Sequence, residues 1–308
     1  MTTQQELDLA PKLGDSALTI GVFDGVHRGH IHLFEKLKAA ASARGRVAGV
    51  VTFVNHPAAV LDPDFDPAYL TTETDRLSLI SKSGVDYVVP VTFDRELASL
   101  TAGEFASMLM ERLAMRELIV GPDFAMGRGR EGDPPTLSAI GRDMGFSVSV
   151  VEPLIDGDGE VVRSTAVRLA LRNGNVAKVS SLLGRNFVVE GTVVEGFRRG
   201  TSMGFPTANL SVGDWIAVPG DGIYATWAVV DGRRAKAATS IGTRPTFEDN
   251  ERTIETHLLD LDGDLYGKEL RIEFVRRLRD EVKFDSTHQL RTQIAKDVDE
   301  ARVALASG

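Results

Sequence analysis

The stretch Gly21-Val22-Phe23-Asp24-Gly25-Val26-His27-Arg28-Gly29-His30 lies between an apolar run that begins at Leu18 and a segment carrying Leu33, Phe34, Leu37 and Ala41 at helical spacing. An apolar run, a glycine-bearing turn and then a 3.6-residue period read as a strand passing into a helix. Outward from this junction the same alternation recurs. Apolar runs at Leu18–Phe23, Val47–Phe53, Val85–Val91, Glu117–Val120 and Ser147–Val151 predict strands. Between them, Thr72 with Asp75 and Thr101 with Glu104 resemble capping boxes that open helices. Strand and helix in alternation predict a mostly parallel sheet covered on both faces, so the first half is expected to be an α/β, doubly wound, Rossmann-like domain.

After Arg172 the pattern changes. Asn173-Gly174-Asn175 breaks a helix, a short amphipathic piece runs to Leu183, and Gly184-Arg185-Asn186 leads into Phe187. Period-two runs follow at Phe187–Glu195, Ile223–Val230, Arg234–Ile241, Thr253–Leu259 and Leu270–Phe274, with turn pairs at Asp231-Gly232 and Asp262-Gly263. They predict a small antiparallel β-barrel. A terminal helix is expected to open near Asp285 and to lay Leu290, Ile294 and Val298 on that barrel. The 308 residues suffice for two domains, and the expected division is 1–184 and 185–308.

Composition narrows the function. Thirty-five basic residues against 44 acidic ones leave a formal charge of −9, which argues against nucleic acid as a partner but leaves room for a local cluster that binds a small anion. With no cysteine the chain has no disulfide, no thiolate metal site and no cysteine nucleophile, in keeping with a cytoplasmic location. Met1–Ala10 does not read as a secretory signal, and the longest apolar run, Val47–Val54, is far too short to span a bilayer, so a membrane partner is not expected. Thirty glycines are about 10% of the chain, above the usual ~7%. Their placement in loops is therefore informative.

The first such loop is Gly21 to His30. At the C-terminal end of a parallel strand, a helix N-terminus offers unpaired backbone N–H groups to an anion, and Gly25 and Gly29 let the backbone come close to it. His27 and His30, three residues apart, project to one side of the helix. The plainer alternative is a capping His and a space-filling His, but two of them flanking a glycine after an apolar strand favour function. A zinc site fits less well, because neither an i, i+4 pair nor a neighbouring carboxylate is offered.

The second loop is Gly196-Phe197-Arg198-Arg199-Gly200-Thr201-Ser202-Met203-Gly204-Phe205-Pro206-Thr207-Ala208-Asn209. A glycine-rich, arginine-bearing loop beside a strand can wrap phosphates. Thr207 and Asn209, at alternate positions of an extended segment, share a face and present hard neutral oxygens suited to Mg²⁺. On these residues alone, a surface hairpin with solvated polar side chains is an equal reading.

His-x-Gly-His after a strand resembles the nucleotidylyltransferase superfamily, and the longer Gly-x-Phe-Asp-Gly-x-His-x-Gly-His resembles its FAD synthetase branch. The resemblance implies an ATP site at Gly21, Phe23, Asp24, Gly25, His27 and His30, with the two histidines acting on the triphosphate. It implies flavin contacts at Phe53, His56 and Pro57, where Asn55 replaces a customary Pro. It implies an adenosine-side loop at Gly121-Pro122-Asp123-Phe124 and Gly127-Arg128-Gly129-Arg130, with Asp123 and Arg128 on ATP. A pyrophosphate cradle is implied at Ser164, Thr165 and Arg168, where Arg163 departs from an expected Ser. As a plain reading, Ser164 and Thr165 are helix N-caps.

In the second half, Gly-Phe-Pro-Thr-Ala-Asn resembles the riboflavin kinase signature, as do Pro219–Ala225, Ile241–Phe247, Glu255-Thr256-His257, Tyr266-Gly267-Lys268 and Arg279–Phe284. The implied ATP and flavin contacts are Gly196, Arg199, Gly204, Pro206, Thr207, Asn209 and Arg279, with Thr207 and Asn209 on the metal. Thr201 and Ser240 stand where Arg and Asn are common. Glu255 is expected to be the general base for a ribityl hydroxyl, the plainer alternative being an outward-facing strand Glu. His257, two positions on, shares its face as orienter or bystander.

The resemblance spans residues 16 to 300. It implies a nucleotidylyltransferase domain and a riboflavin kinase barrel that together turn riboflavin, ATP and Mg²⁺ into FMN and ADP, then FMN and ATP into FAD and pyrophosphate. Two alternatives stand beside it: a riboflavin kinase alone, with the first module impaired at Arg163, and a flavin-binding regulator without turnover.

Overall fold

The computed structural model describes residues 1–65, 68–196, 203–245, 250–261 and 263–306. It divides into two compact units, Met1–Ser164 and Thr165–Gly308.

The first unit runs α1 (Thr3–Asp8), β1 (Ser16–Gly21), α2 (Arg28–Ala43), β2 (Val47–Phe53), α3 (Ala58–Leu61), α4 (Glu73–Lys82), β3 (Tyr87–Val91), α5 (Arg95–Ser99), α6 (Ala102–Leu113), β4 (Met115–Val120), α7 (Pro134–Met144) and β5 (Ser147–Val150). Helix α8 (Ser164–Arg172) begins at its last residue. The sheet is parallel throughout, in the order β3-β2-β1-β4-β5. Alternate residues of one strand feed opposite layers. Leu18 and Ile20 pack with Phe105, Leu109 and Leu137 on one side, while Ala17 packs with Phe34, Leu37 and Ile80 on the other. That two-sided burial explains why the strands read as continuous apolar runs. Strand order reverses between β1 and β4, so a ligand crevice belongs beyond their C-terminal ends. The segments that begin at Val22 and Gly121 emerge there.

Helix starts follow their chemistry. Thr101 and Glu104 form a complete capping box. Thr72 accepts from the Asp75 N–H, but the return bond runs from its own hydroxyl to the Asp75 carboxylate, so only half of that box forms. Helix α7 opens on Asp133, which caps the Thr136 N–H ahead of two prolines.

The second unit continues with α9 (Val176–Leu183), β6 (Phe187–Val194), β7 (Ala208–Ser211), β8 (Gly222–Val230), β9 (Arg233–Pro245), β10 (Asn250–Leu258), β11 (Glu269–Arg279) and α10 (Thr287–Ala304). Strands β6 to β11 close into an antiparallel barrel, β10-β7-β6-β11-β8-β9. Buried positions alternate along β6 and β11, placing Phe187, Val189, Leu270, Ile272 and Phe274 in the core. Three fully buried threonines, Thr226, Thr239 and Thr256, satisfy one another across β8, β9 and β10 at 2.7 and 3.1 Å, so their hydroxyls are not stranded in the apolar interior.

Helix α10 is capped by Ser286, one residue past the expected start. Its covering face is shifted toward the C-terminus: Leu290 and Ile294 are half-buried, while Val298, Ala301 and Leu305 are buried, with Ala301 and Leu305 against Ala225, Trp227 and Ala238. The turn at Asp231-Gly232 joins β8 to β9 as expected; Asp262 of the other turn pair lies outside the described residues.

Candidate active sites

In the first unit, the Gly21–His30 segment is a tightly determined loop. Phe23, Gly25 and Val26 all have positive φ (52°, 79° and 37°), and for the two side-chain-bearing residues this strain is held only by their surroundings. Phe23 and Val26 are buried in the core beside Phe34. Asp24 is 3% exposed, and its carboxylate accepts from the N–H groups of Leu70 and Thr71 and from the Thr71 hydroxyl at 3.0–3.2 Å. The Gly25 N–H donates to the same hydroxyl. These bonds show Asp24 fixing the loop's shape.

His27 is the N-cap of α2 and its Nδ1 accepts from the His30 N–H at 3.3 Å. An accepting Nδ1 leaves Nε2 as the protonated nitrogen. The two imidazoles stack with centroids 3.5 Å apart, and Phe23 meets His30 edge-on at 5.2 Å. A Cβ on Gly29 would stand 2.6 Å from the Val162 carbonyl oxygen and 3.0 Å from His27 Nδ1, so the close approach requires glycine. Ser164 Oγ donates to the Asp24 carbonyl at 3.1 Å. Helix α8 begins at Ser164 itself, so its hydroxyl ties two segments of the site together in place of the N-cap role open to it from sequence. Thr165 and Arg168 follow on α8, exposed and half-buried respectively, and Arg163 is exposed.

On the side of β2, Phe53 packs edge-to-face with Phe93 at 5.4 Å, and His56 stacks on Phe65 at 4.6 Å. His56 donates its backbone N–H to the Tyr69 hydroxyl, and Pro57 opens α3. Asn55, the departure from the family's Pro, exchanges two 2.8 Å bonds with the backbone N–H and carbonyl of Phe93. It holds the end of β2 to the end of β3 through hydrogen bonds.

Arg76, which sequence reading did not single out, is 1% exposed and donates to the Val54 carbonyl at 2.6 Å. Burial lowers its pKa, and the nearby Asp24 charge opposes that shift. A lone Arg in an amphipathic helix carries no sequence mark of burial. After β4, Asp123 is exposed and its carbonyl accepts from Arg130; the exposed Arg128 opens a 3₁₀ turn whose backbone N–H bonds the Leu100 carbonyl. The glycine-arginine stretch is thus docked beside the start of α6.

The second unit places its polar residues around the β7–β10 pair. Asn209 sits directly opposite Glu255, and Ser240 of β9 sits opposite it on the other side. Ile254, Thr256 and Leu258 are buried, so Glu255 and His257 face away from the core. Thr207 Oγ1 donates to Glu255 Oε2 at 3.2 Å. Gly196 lies against the Asn209 amide so closely that a Cβ would collide with it. Gly204, at φ +86°, precedes Phe205 and Pro206 in the turn that delivers Thr207. Arg199, with the neighbouring Thr201, lies outside the described residues.

Arg279 makes a two-pronged pair with Asp297 of α10 at 2.8 and 2.6 Å and donates to the Asp280 carbonyl; Gln293 adds a further bond to Asp297. Among the described residues no group of three His, Asp or Glu side chains could cage a metal. No helix among them is long and apolar enough to cross a membrane.

A doubly wound unit with stacked histidines at its strand–helix junction is followed by a barrel with a Thr–Asn–Glu cluster, and the family models that match these two stretches are those of a nucleotidyltransferase and a kinase. Residues 10–166 match the FAD synthetase family model and residues 183–305 the riboflavin kinase model. The chain belongs to the bifunctional riboflavin kinase/FMN adenylyltransferase family. It is 40% identical over 293 residues to the protein of that name from Escherichia coli K12, covering 94% of this chain and 93% of that one. It is 34% identical to the Bacillus subtilis protein, with 93% and 91% covered. A solved structure described as a macrolide-efflux protein from Streptococcus pneumoniae matches with a TM-score of 0.88 at 30% identity, covering 98% of this chain and 97% of that one.

Proposed function

We propose that the two activities of the family divide between residues 1–184, which adenylylate FMN, and residues 185–308, which phosphorylate riboflavin. The separate matches of the two family models to 10–166 and 183–305 support this division.

In the first, a phosphate oxygen of FMN attacks the α-phosphorus of ATP; the bond to the β-phosphate breaks and pyrophosphate leaves. No covalent enzyme intermediate is needed, because positioning and charge stabilisation carry such transfers. Gly21, Phe23, Asp24 and Gly25 shape the loop. His27, donating through Nε2–H, and His30 hold the triphosphate and the charge that develops on it. Asp123, Arg128, Ser164, Thr165 and Arg168 complete the ATP side, and Phe53, His56 and Pro57 receive the flavin.

In the second, a ribityl hydroxyl of riboflavin attacks the γ-phosphorus of ATP, its proton passes to Glu255, and ADP leaves. The observation that carries this reading is the cluster of Thr207, Asn209 and Glu255 on one face, with the Thr207 hydroxyl already bonded to the carboxylate. Thr207 and Asn209 would hold Mg²⁺. Their hard neutral oxygens suit an ion that keeps several waters and leans on substrate phosphates, and Gly196 leaves the room that the Asn209 amide needs. Bound there, the ion would neutralise phosphate charge. Thr207 can offer a lone pair while its proton still orients Glu255. Gly196, Arg199, Gly204, Pro206 and Arg279 supply the remaining contacts, Arg279 from a position that Asp297 fixes. A cytoplasmic setting goes with these substrates.

The test is Glu255→Gln. It should abolish FMN formation from riboflavin and spare FAD formation from supplied FMN; loss of both activities, or of neither, would sink the assignment.

A further inference from the structure

We propose that His257 is a positioning residue for riboflavin phosphorylation, its ring N–H holding the Pro206 carbonyl so that Thr207 stays against Glu255. The inference rests on the reading of Thr207 and Glu255 as the kinase site.

Strand β7 begins only at Ala208, and its ladder with β10 covers three pairs, from Ile254↔Leu210 to Thr256↔Ala208. Extended by one residue, that register sets His257 opposite Thr207, but the ladder does not reach so far. Pro206 has no N–H to donate, so the backbone just before Thr207 has only its carbonyl with which to be tied down. The His257 ring takes that carbonyl: Nδ1 and the Pro206 oxygen are 2.7 Å apart. A carbonyl only accepts, so Nδ1 is the protonated nitrogen. Phe205 packs edge-to-face on the same imidazole, centroids 5.5 Å apart at 84°, and fixes the plane of the ring.

The side chain thus supplies the rung that a proline denies to the strand pair. The Thr207–Glu255 bond, at 3.2 Å, is long for one between a hydroxyl and a carboxylate and would not by itself hold the turn that follows Gly204. A small rotation about that turn would move the Thr207 oxygen away from both Glu255 and the phosphates.

The discriminating variants are His257→Ala, His257→Phe and His257→Asn. Asparagine carries an amide N–H at the branch position that Nδ1 occupies in histidine, whereas phenylalanine keeps the ring and its packing but has no donor. Initial rates of FMN formation from riboflavin are measured over a range of MgATP and riboflavin, beside FAD formation from supplied FMN.

Misplacement of a positioned group on the ångström scale predicts a loss of about 10- to 100-fold in kcat for His257→Ala and His257→Phe, with a smaller change in the riboflavin KM. His257→Asn should return kcat to near the wild-type value, and FAD formation should be unchanged in all three. A His257→Phe enzyme with wild-type kcat, or a His257→Asn enzyme as slow as His257→Ala, would overturn the proposal. Glu255→Gln in the same assay separates the two levels. If it is inactive while His257→Phe is normal, only the positioning role fails; if Glu255→Gln keeps full activity, the reading of the site fails.

Discussion

Gly29 offers a sharp test of how the first site is held. A Cβ built there stands 2.6 Å from the Val162 carbonyl oxygen, about 0.8 Å inside ordinary contact, and 3.0 Å from the His27 ring. Neither neighbour can yield without consequence. Val162 lies two residues before Ser164, whose hydroxyl holds the Asp24 carbonyl, and His27 caps α2 while stacking on His30. Overpacking of this kind costs typically about 1–3 kcal/mol in stability. The larger effect is on chemistry, because displacing reacting groups by about an ångström can cost ~100-fold in rate. Gly29→Ala should therefore slow FAD formation from FMN and ATP by about 10- to 100-fold, read as pyrophosphate release. FMN formation from riboflavin should be unchanged. Gly103→Ala is the control, since a Cβ at that helical position meets nothing within 4 Å, and it should leave both rates alone. A Gly29→Ala enzyme making FAD at the wild-type rate would show that the close packing at Gly29 does not hold the histidines in place.

Two further expectations concern stability and protonation. Asp297→Ala leaves Arg279, about a fifth exposed, without its partner, and loss of one member of a mostly buried pair costs about 3 kcal/mol or more. Calorimetry should show the barrel melting earlier and riboflavin phosphorylation falling, with FAD formation from FMN intact below that transition; an unchanged melting profile would contradict the assignment. Glu104 accepts from the Thr101 N–H and hydroxyl, bonds that hold its carboxyl below the ordinary range. A depressed carboxylate contributes stability that is complete above the ordinary glutamate pKa and is lost as pH falls through the depressed one. A carbon-13 NMR titration should give Glu104 a midpoint below that of a free glutamate, and a midpoint at or above it would show that the capping box does not persist in solution.

Much of the architecture was legible because the informative signals are local. The Leu18–His30 junction, the Thr101–Glu104 box and the period-two runs from Phe187 are set by neighbours a few residues apart, and each forms where its pattern lies. Strand β7 was visible only as the extended segment of Thr207 and Asn209, because four residues behind a proline carry almost no periodicity. Helix α7 was missed although Asp133 before Pro134 and Pro135 is a standard helix start.

The site was less legible wherever a residue's role depends on distant partners. Asp24 reads as a ligand residue, and the bonds its carboxylate accepts from Leu70 and Thr71, some 46 positions on, leave no trace in local spacing. The exchange of Asn55 for Pro was visible, but its two bonds to Phe93 were not. The clasp of His257 on Pro206 closes a separation of 51 residues, which no spacing rule reports.

If two separate sites on one chain carry the two steps, variants that each lack one of them should complement one another. Glu255→Gln and His30→Ala enzymes are each incubated with riboflavin, ATP and Mg²⁺, alone and mixed, and the flavins are separated by chromatography. Alone, the first should leave riboflavin unconverted and the second should accumulate FMN without FAD. Mixed, they should convert riboflavin to FAD, with FMN passing through solution from one enzyme to the other. Absence of FAD from the mixture, or FAD from either variant alone, would show that the two steps do not reside in separate sites.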